Sequence, residues 1–262
     1  MFSKIYEKNS LLSSDLYLIM KHLNTVEQLI VSPLTQYQVF MLQVLAASLL
    51  HRVAFTLQNM YSNTTENKLM YIADRMSCHM LKFWWVSDRL YIAMYYYKTL
   101  RYTEALSVVE MTKVNLAQPY VMYDVTVDTE RYTEAVGGQS WSTKLRHALA
   151  WDIRLYNRII YINELMTEQS VSLQNHFPVM FIPPLVVLHM LEFLCYRHID
   201  TMRAQTALND LQVLVHHDQG LCVPQLLRDI SWQILGIYQQ ISGEPPGCSI
   251  LLPTITRTIS ME

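Results

Sequence analysis

Glycine is scarce in this sequence, with only six residues among 262. Two-residue β-hairpin turns and phosphate-binding loops both depend on glycine, because glycine adopts positive φ at little cost. The shortage argues against an all-β fold and against a nucleotide-binding loop. Charge is scarce as well: 16% of residues are charged and the net charge is −2. The chain therefore lacks the basic footprint that binding to nucleic acid or to an anionic membrane would require.

Cysteine and long apolar runs are also limited. The chain has no Cys-x-x-Cys pair, and this spacing favours reduced thiols and a cytoplasmic, intracellular protein. The apolar run 39–50 is too short to span a bilayer, and prolines interrupt the run 177–196. The first residues lack the apolar centre of a signal peptide, so we predict no membrane association. The four cysteines are Cys78, Cys195, Cys222 and Cys248.

Apolar residues make up 51% of the chain and recur mainly at helical spacing. Leu16, Ile19 and Leu23 predict a helix over about 15–30, and Ser32-Pro33 is expected to start a second one that runs to about residue 60. The whole pattern predicts an all-α fold. We expect irregular antiparallel helical hairpins, similar to tetratricopeptide repeats, with one loop insertion.

The clearest hairpin covers residues 91–116, with a turn at Thr99-Leu100-Arg101. The sharpest match to the tetratricopeptide signature is Trp232, Leu235 and Gly236, with Gly243 at the expected turn, but the second helix of this unit is missing. In the first hairpin, the positions that agree with the signature are Ile92, Ala93, Tyr96, Tyr102, Ala105 and Val109.

The remaining segments are assigned by pattern. Residues 120–141 are rich in Val, Thr and Asp, which favours an irregular loop with a short extended pair at most. Leu145, Leu149 and Ile153 share a helical face with later residues and predict one long helix. The predicted parts are an N-terminal helical segment (1–83), a tetratricopeptide-like hairpin (84–119), a loop (120–141), a long helix (142–175), degenerate tetratricopeptide-like helices (183–243) and a frayed tail (244–262).

Residues that could carry chemistry do not form a recognisable set. His216, His217 and Asp218 lie near Cys222, but neighbouring helical residues point about 100° apart, which is poor geometry for zinc. The basic stretch 144–158 leaves a nucleic-acid surface as a minor alternative. Carboxylates in the predicted loop lack the framework of a nucleotidyl-transfer site. We therefore predict no enzyme activity, no metal and no cofactor.

A binding surface is predicted on the inner face of the first helix of each hairpin. This face is apolar and rich in amides, which suits an apolar helix or an extended peptide. The alternative left open is that an upstream domain of the same protein covers it. The candidate partner-binding residues are Leu90, Met94, Tyr97, Lys98, Gln233, Ile237 and Gln240.

Several strings resemble the C-terminal region of male-abnormal-twenty-one-like (Mab-like) proteins, which are relatives of cyclic GMP-AMP synthase. The matching strings are YEKNS (6–10), TVEQLIVSPLTQYQ (25–38), MSCHMLK (76–82), AQPYVMY (117–123), RYTEAVG (131–137) and RDISWQILG (228–236).

This resemblance implies a nucleotidyltransferase-like fold and a helical domain upstream of the present chain. The Gly-Ser motif and acidic triad of the active relatives have no counterpart here, so no catalytic residue carries over. We expect a non-catalytic protein-interaction module, the C-terminal part of a Mab-like protein. The alternative is a fragment of a nucleotidyltransferase-family innate-immune sensor whose catalytic domain lies upstream. The expected partner is a protein or peptide, or the protein's own upstream domains.

Overall fold

The computed structural model describes residues 16–29, 32–61, 88–118, 121–123, 149–174 and 177–243. Within these ranges the protein is mostly helical, with two short strand pairs, which confirms the predicted all-α class. The tetratricopeptide-like character of the hairpins stays a prediction. The described helices are α1 (16–29), α2 (Gln36–Tyr61), α3 (Arg89–Lys98), α4 (Tyr102–Leu116), α5 (Met166–Gln174), α6 (Pro184–Tyr196), α7 (Thr201–His217) and α8 (Arg228–Ser242).

Helices α1 and α2 share a small core of their own. Ile19 and Leu23 of α1 are buried with Val53 and Leu57 of α2. The second helix starts later than Ser32-Pro33 because Thr35 caps it. The Thr35 hydroxyl accepts the N–H of residue 38, and the side chain of that glutamine accepts the N–H of Thr35. This reciprocal pair is a capping box, which favours a helix start at residue 36.

The main core is built from two antiparallel hairpins. Helices α3 and α4 form the first, and α6 and α7 form the second. Helix α6 packs against both helices of the first hairpin, while α8 packs mainly on α7. Leu100 forms the first turn with a φ of 63°, in the left-handed region that glycine usually fills. The hairpin predicted at 91–116 is therefore present, and the predicted helical region 183–243 contains a second hairpin, α6–α7.

The predicted long helix at 142–175 is wrong over its described part. Residues 149–156 instead contain strands β2 (Leu149–Ala150) and β3 (Ile153–Tyr156), and α5 begins only at Met166. Ile153 and Leu155 are both buried. Residues two apart share a face in a strand, whereas in a helix they point about 200° apart.

Strand pairing explains why this stretch is extended. β3 runs antiparallel to β4 (Val179–Ile182), with Ile153 opposite Ile182. β2 runs parallel to β1 (Met122–Tyr123), the described remnant of the predicted loop. The backbone N–H and C=O groups of β2 and β3 therefore bond to neighbouring strands. In a helix, the same groups would bond within their own segment. The rest of the loop, residues 62–87 and the predicted tail 244–262 lie outside the described residues.

The start of α7 depends on a side-chain cap. The Asp200 carboxylate accepts the N–H groups of Met202 at 3.0 Å and Arg203 at 3.2 Å. Asp200→Ala leaves these donors without the cap, and we expect it to destabilise the fold by about 1 kcal/mol. Asp200→Asn keeps a side-chain acceptor and should lose less stability than Asp200→Ala. Urea denaturation of both variants provides the test, and equal losses would contradict a capping role.

None of the described helices combines the length with the apolar character that crossing a membrane requires.

Candidate functional site

Helix α3 has no free face at the predicted partner site. Leu90 and Met94 are both fully buried, so their assignment as partner-binding residues is wrong. Every residue from Leu90 to Tyr96 is buried, since α2, α4 and α6 all contact this helix. Helical spacing cannot distinguish a binding face from a buried one, and here the helix lies in the core.

Tyr97 and Lys98 are half-buried and are already bonded within the chain. The Tyr97 hydroxyl donates to Glu164 Oε1 at 2.6 Å. Burial raises the pKa of Tyr97, and the hydrogen bond to Glu164 adds to the shift, so the phenol stays a neutral donor. The Lys98 ammonium donates to the carbonyl of Ile160 and to the side chain of Asn59. Both side chains therefore bond residues of the segment 160–164, and Lys98 also bonds α2.

Residues 153–164 contact α3 through their main chain as well as through side chains such as Tyr161. The Tyr91 hydroxyl accepts the N–H of Arg154 at 2.6 Å and donates to the carbonyl of the same residue at 3.1 Å. Lys98 bonds the carbonyl of Ile160 farther along the same segment. Residues 153–164 of the same chain thus cover the inner face of the first hairpin.

The predicted surface on α8 has a different environment. Gln233 and Gln240 are exposed, whereas Ile237 packs partly against the main core. Their role in partner binding stays a prediction. Leu221, in the loop after α7, is 75% exposed, and Leu226, in the short 3-10 helix Gln225–Leu227 before α8, is 93% exposed. Sequence reasoning missed these two leucines because neither belongs to a long periodic segment.

A charged cluster joins α4, α6 and α7. Lys113 Nζ lies 2.8 Å from Glu192 Oε1, 3.1 Å from Oε2 and 3.7 Å from an Asp210 oxygen. His189 Nδ1 lies 2.9 Å from Glu192 Oε2. Burial acts to raise the pKa of Glu192, but hydrogen bonds from His189 and Lys113 outweigh it and lower that pKa below 4.5. The carboxylate is therefore charged in a nearly closed site.

The sequence offered only one trace of this cluster, the i, i+3 spacing of His189 and Glu192 on α6. Lys113 lies 79 residues away from Glu192 in the chain. The local periodicity of a sequence cannot predict a contact between residues so far apart in the chain.

The other sequence candidates are explained by local structure. Asp218 accepts the N–H groups of Gly220, Cys222 and Val223 and so shapes the loop after α7. His216 packs edge-on against Trp232, with ring centres 4.5 Å apart.

The basic helix proposed as a nucleic-acid surface does not form over its described part. Arg154 lies in strand β3 and Arg158 in the turn after it. Lys144, Arg146 and the loop carboxylates Asp124, Asp128 and Glu130 lie outside the described residues.

Comparisons with protein-family models, with curated proteins and with solved structures found no match for this chain.

Proposed function

We propose that this chain is a non-catalytic helical module that binds a protein partner through the exposed side of α8 and the loop before it. The observation that carries the proposal is the exposure of two large apolar side chains, Leu221 and Leu226, in the segment before α8, together with the exposed amides of Gln233 and Gln240 on that helix. We name these four residues the α8 surface.

The chemistry of the α8 surface fits an apolar helix or an extended peptide. Burying one leucine side chain contributes about 1.5–3 kcal/mol, so Leu221 and Leu226 can supply much of the affinity of a transient complex. Glutamine amides both donate and accept hydrogen bonds, and they can bond main-chain groups of a partner. The four residues carry no charge, so a strongly acidic or basic partner gains little here.

The first hairpin supports the same mode of binding. Its inner face already holds an extended segment through main-chain hydrogen bonds from Tyr91 and Lys98. The resemblance to Mab-like proteins supports a partner that is either another protein or an upstream domain of this one. An intracellular location is part of the proposal, and the free thiols of Cys195 and Cys222 support it.

Site-specific photo-crosslinking in cells tests the α8 surface directly. A photoreactive amino acid at Leu226 or Gln233 should give a discrete crosslinked product. The same residue at Val114, which is 63% exposed on α4, is the matched control and should give none. Leu221→Ser should weaken the product formed from position 233 while changing stability by less than about 0.5 kcal/mol. Products of equal yield at all three positions, or none at any, would overturn the proposal.

A further inference from the structure

We propose that His189, Glu192 and Asp210 form a binding site for a zinc-class divalent cation, and that the Lys113 ammonium competes with the metal for this site. Each of the three residues offers one ligand atom, and these atoms lie within 4.8 Å of one another. The site is separate from the α8 surface and does not depend on the proposed partner.

The fold brings the three ligands together on rigid elements. His189 and Glu192 are three residues apart, so they project from one side of α6. Asp210 comes from α7, which is antiparallel to α6 and is its main neighbour. Glu192 is only 6% exposed and His189 12%, so packing holds both side chains. The Asp210 side chain is 46% exposed, and its ion pair in the cluster is the 3.7 Å contact with Lys113.

The donor set is the kind that zinc prefers. One imidazole nitrogen with carboxylate oxygens suits zinc better than calcium or magnesium, which favour oxygen ligands alone. Zinc–ligand bonds of about 2.0–2.2 Å place tetrahedral ligand atoms about 3.3–3.6 Å apart. A bound zinc ion would therefore separate His189 Nδ1 and Glu192 Oε2, now 2.9 Å apart, and draw Asp210 closer, since its ligand atom now lies within 4.8 Å of the others. Three protein ligands also leave a fourth position open for water or a partner's side chain.

Charge balance gives Lys113 its role. The nearly buried Glu192 carboxylate needs a cation beside it, because an uncompensated charge is costly away from water. Lys113 supplies that cation by contacting both Glu192 oxygens and approaching Asp210. A divalent ion at the same position would replace the ammonium and repel it. The Lys113 side chain is 42% exposed, so it can turn toward solvent when the metal binds.

A plain ion-pair network would use the same four residues but would respond differently to their substitution. In a network, Lys113 and the carboxylates act together, and removing Lys113 creates no affinity for metal. In a site shared between lysine and metal, removing the ammonium uncovers the ligands. Lys113→Met therefore separates the two cases, since methionine keeps much of the side-chain length without its charge.

Zinc titration of the full chain by calorimetry is the first measurement. We expect Lys113→Met to bind one zinc ion at least tenfold more tightly than the wild type. Adding His189→Ala to that variant should weaken zinc binding more than tenfold. Even the loss of a group that only supports a metal ligand lowers metal affinity by about 10–100-fold. His216→Ala in the same background is the matched control and should leave the affinity unchanged.

Two further measurements keep the test decisive. Cobalt(II) in place of zinc should give the visible absorption of a four-coordinate ion in Lys113→Met and lose it with His189→Ala. Zinc should also raise the Tm of Lys113→Met more than that of the wild type. If Lys113→Met fails to fold, His189→Ala and Asp210→Ala in the wild-type background should each weaken binding. Equal zinc affinity in every variant, or no saturable binding to any folded variant, would overturn the site.

Discussion

Truncation of Met94 to alanine is expected to destabilise the protein by about 2–5 kcal/mol. Met94 is fully buried at the centre of α3, and the flanking residues from Leu90 to Tyr96 are buried with it. Removing its thioether chain deletes apolar contacts and leaves a cavity that the packed helices cannot fully close. The effect is large because α3 is enclosed by α2, α4 and α6.

Urea denaturation at constant pH measures the loss for Met94→Ala. Gln233→Ala is the matched control, because Gln233 was predicted for the same surface but is exposed on α8. We expect the control to change the free energy of unfolding by less than about 0.5 kcal/mol. A loss below about 1 kcal/mol for Met94→Ala would show that α3 is a surface helix. Such a result would support the sequence-based assignment of Met94 to a partner-binding site.

The helical hairpins were predictable because their signals are local. Pro183-Pro184 marks the start of α6, and α6 begins at Pro184. Gly243 marks the end of α8, where it adopts a φ of 76°. Both residues act through their own backbone conformation, which does not depend on distant parts of the chain.

The extended segment 149–156 was not predictable in the same way. Leu149, Ile153 and Tyr156 fit a helical spacing, but Ile153 and Leu155 also fit an alternating strand. The segment is a strand and not a helix because β4, which begins at Val179, supplies the hydrogen-bond partners of β3. A single-sequence pattern cannot show such a partner. Tertiary pairing overrode the local helical signal.

The candidate site on α3 failed for a related reason. Helical phase places Leu90 and Met94 on one face, but it does not say which segment covers that face. Some of the contacts that cover α3 join residues more than 60 positions apart, as Tyr91 and Arg154 show. The pairing of Lys113 with Glu192 spans a similar distance. Gln233 and Gln240 are exposed on α8, and their role in partner binding stays a prediction.

His51 gives the fold a built-in sensitivity to acid. It lies on α2, is 4% exposed, and stacks on Tyr91 with ring centres 4.0 Å apart. Burial lowers the pKa of His51 from 6.5 to about 3, and the positive charge of Arg52 lowers it further, while a hydrogen bond with the backbone of Ala47 acts in the opposite direction. The imidazole is therefore neutral in the folded protein at every pH at which proteins are normally handled.

The sign of the pH dependence follows from where the proton binds. Below pH 6.5 the unfolded chain protonates His51, whereas the folded protein does not until about pH 3. The unfolded state thus binds more protons, and stability falls as the pH is lowered. Asp88 acts in the opposite direction, because burial raises its pKa to about 7 against the smaller opposing effect of Arg154. The two groups partly mask each other in the wild-type profile.

His51→Phe isolates the histidine contribution, because Asp88 is present in both proteins and cancels in the comparison. Between pH 7.5 and pH 5, we expect the wild type to lose about 2 kcal/mol of stability relative to the variant. Urea denaturation at pH 7.5, 6.5 and 5 gives both profiles. His51→Gln should show the same difference in slope despite its different packing, because packing losses do not change with pH. Parallel profiles for the wild type and both variants would mean that His51 is accessible to protons in the folded protein.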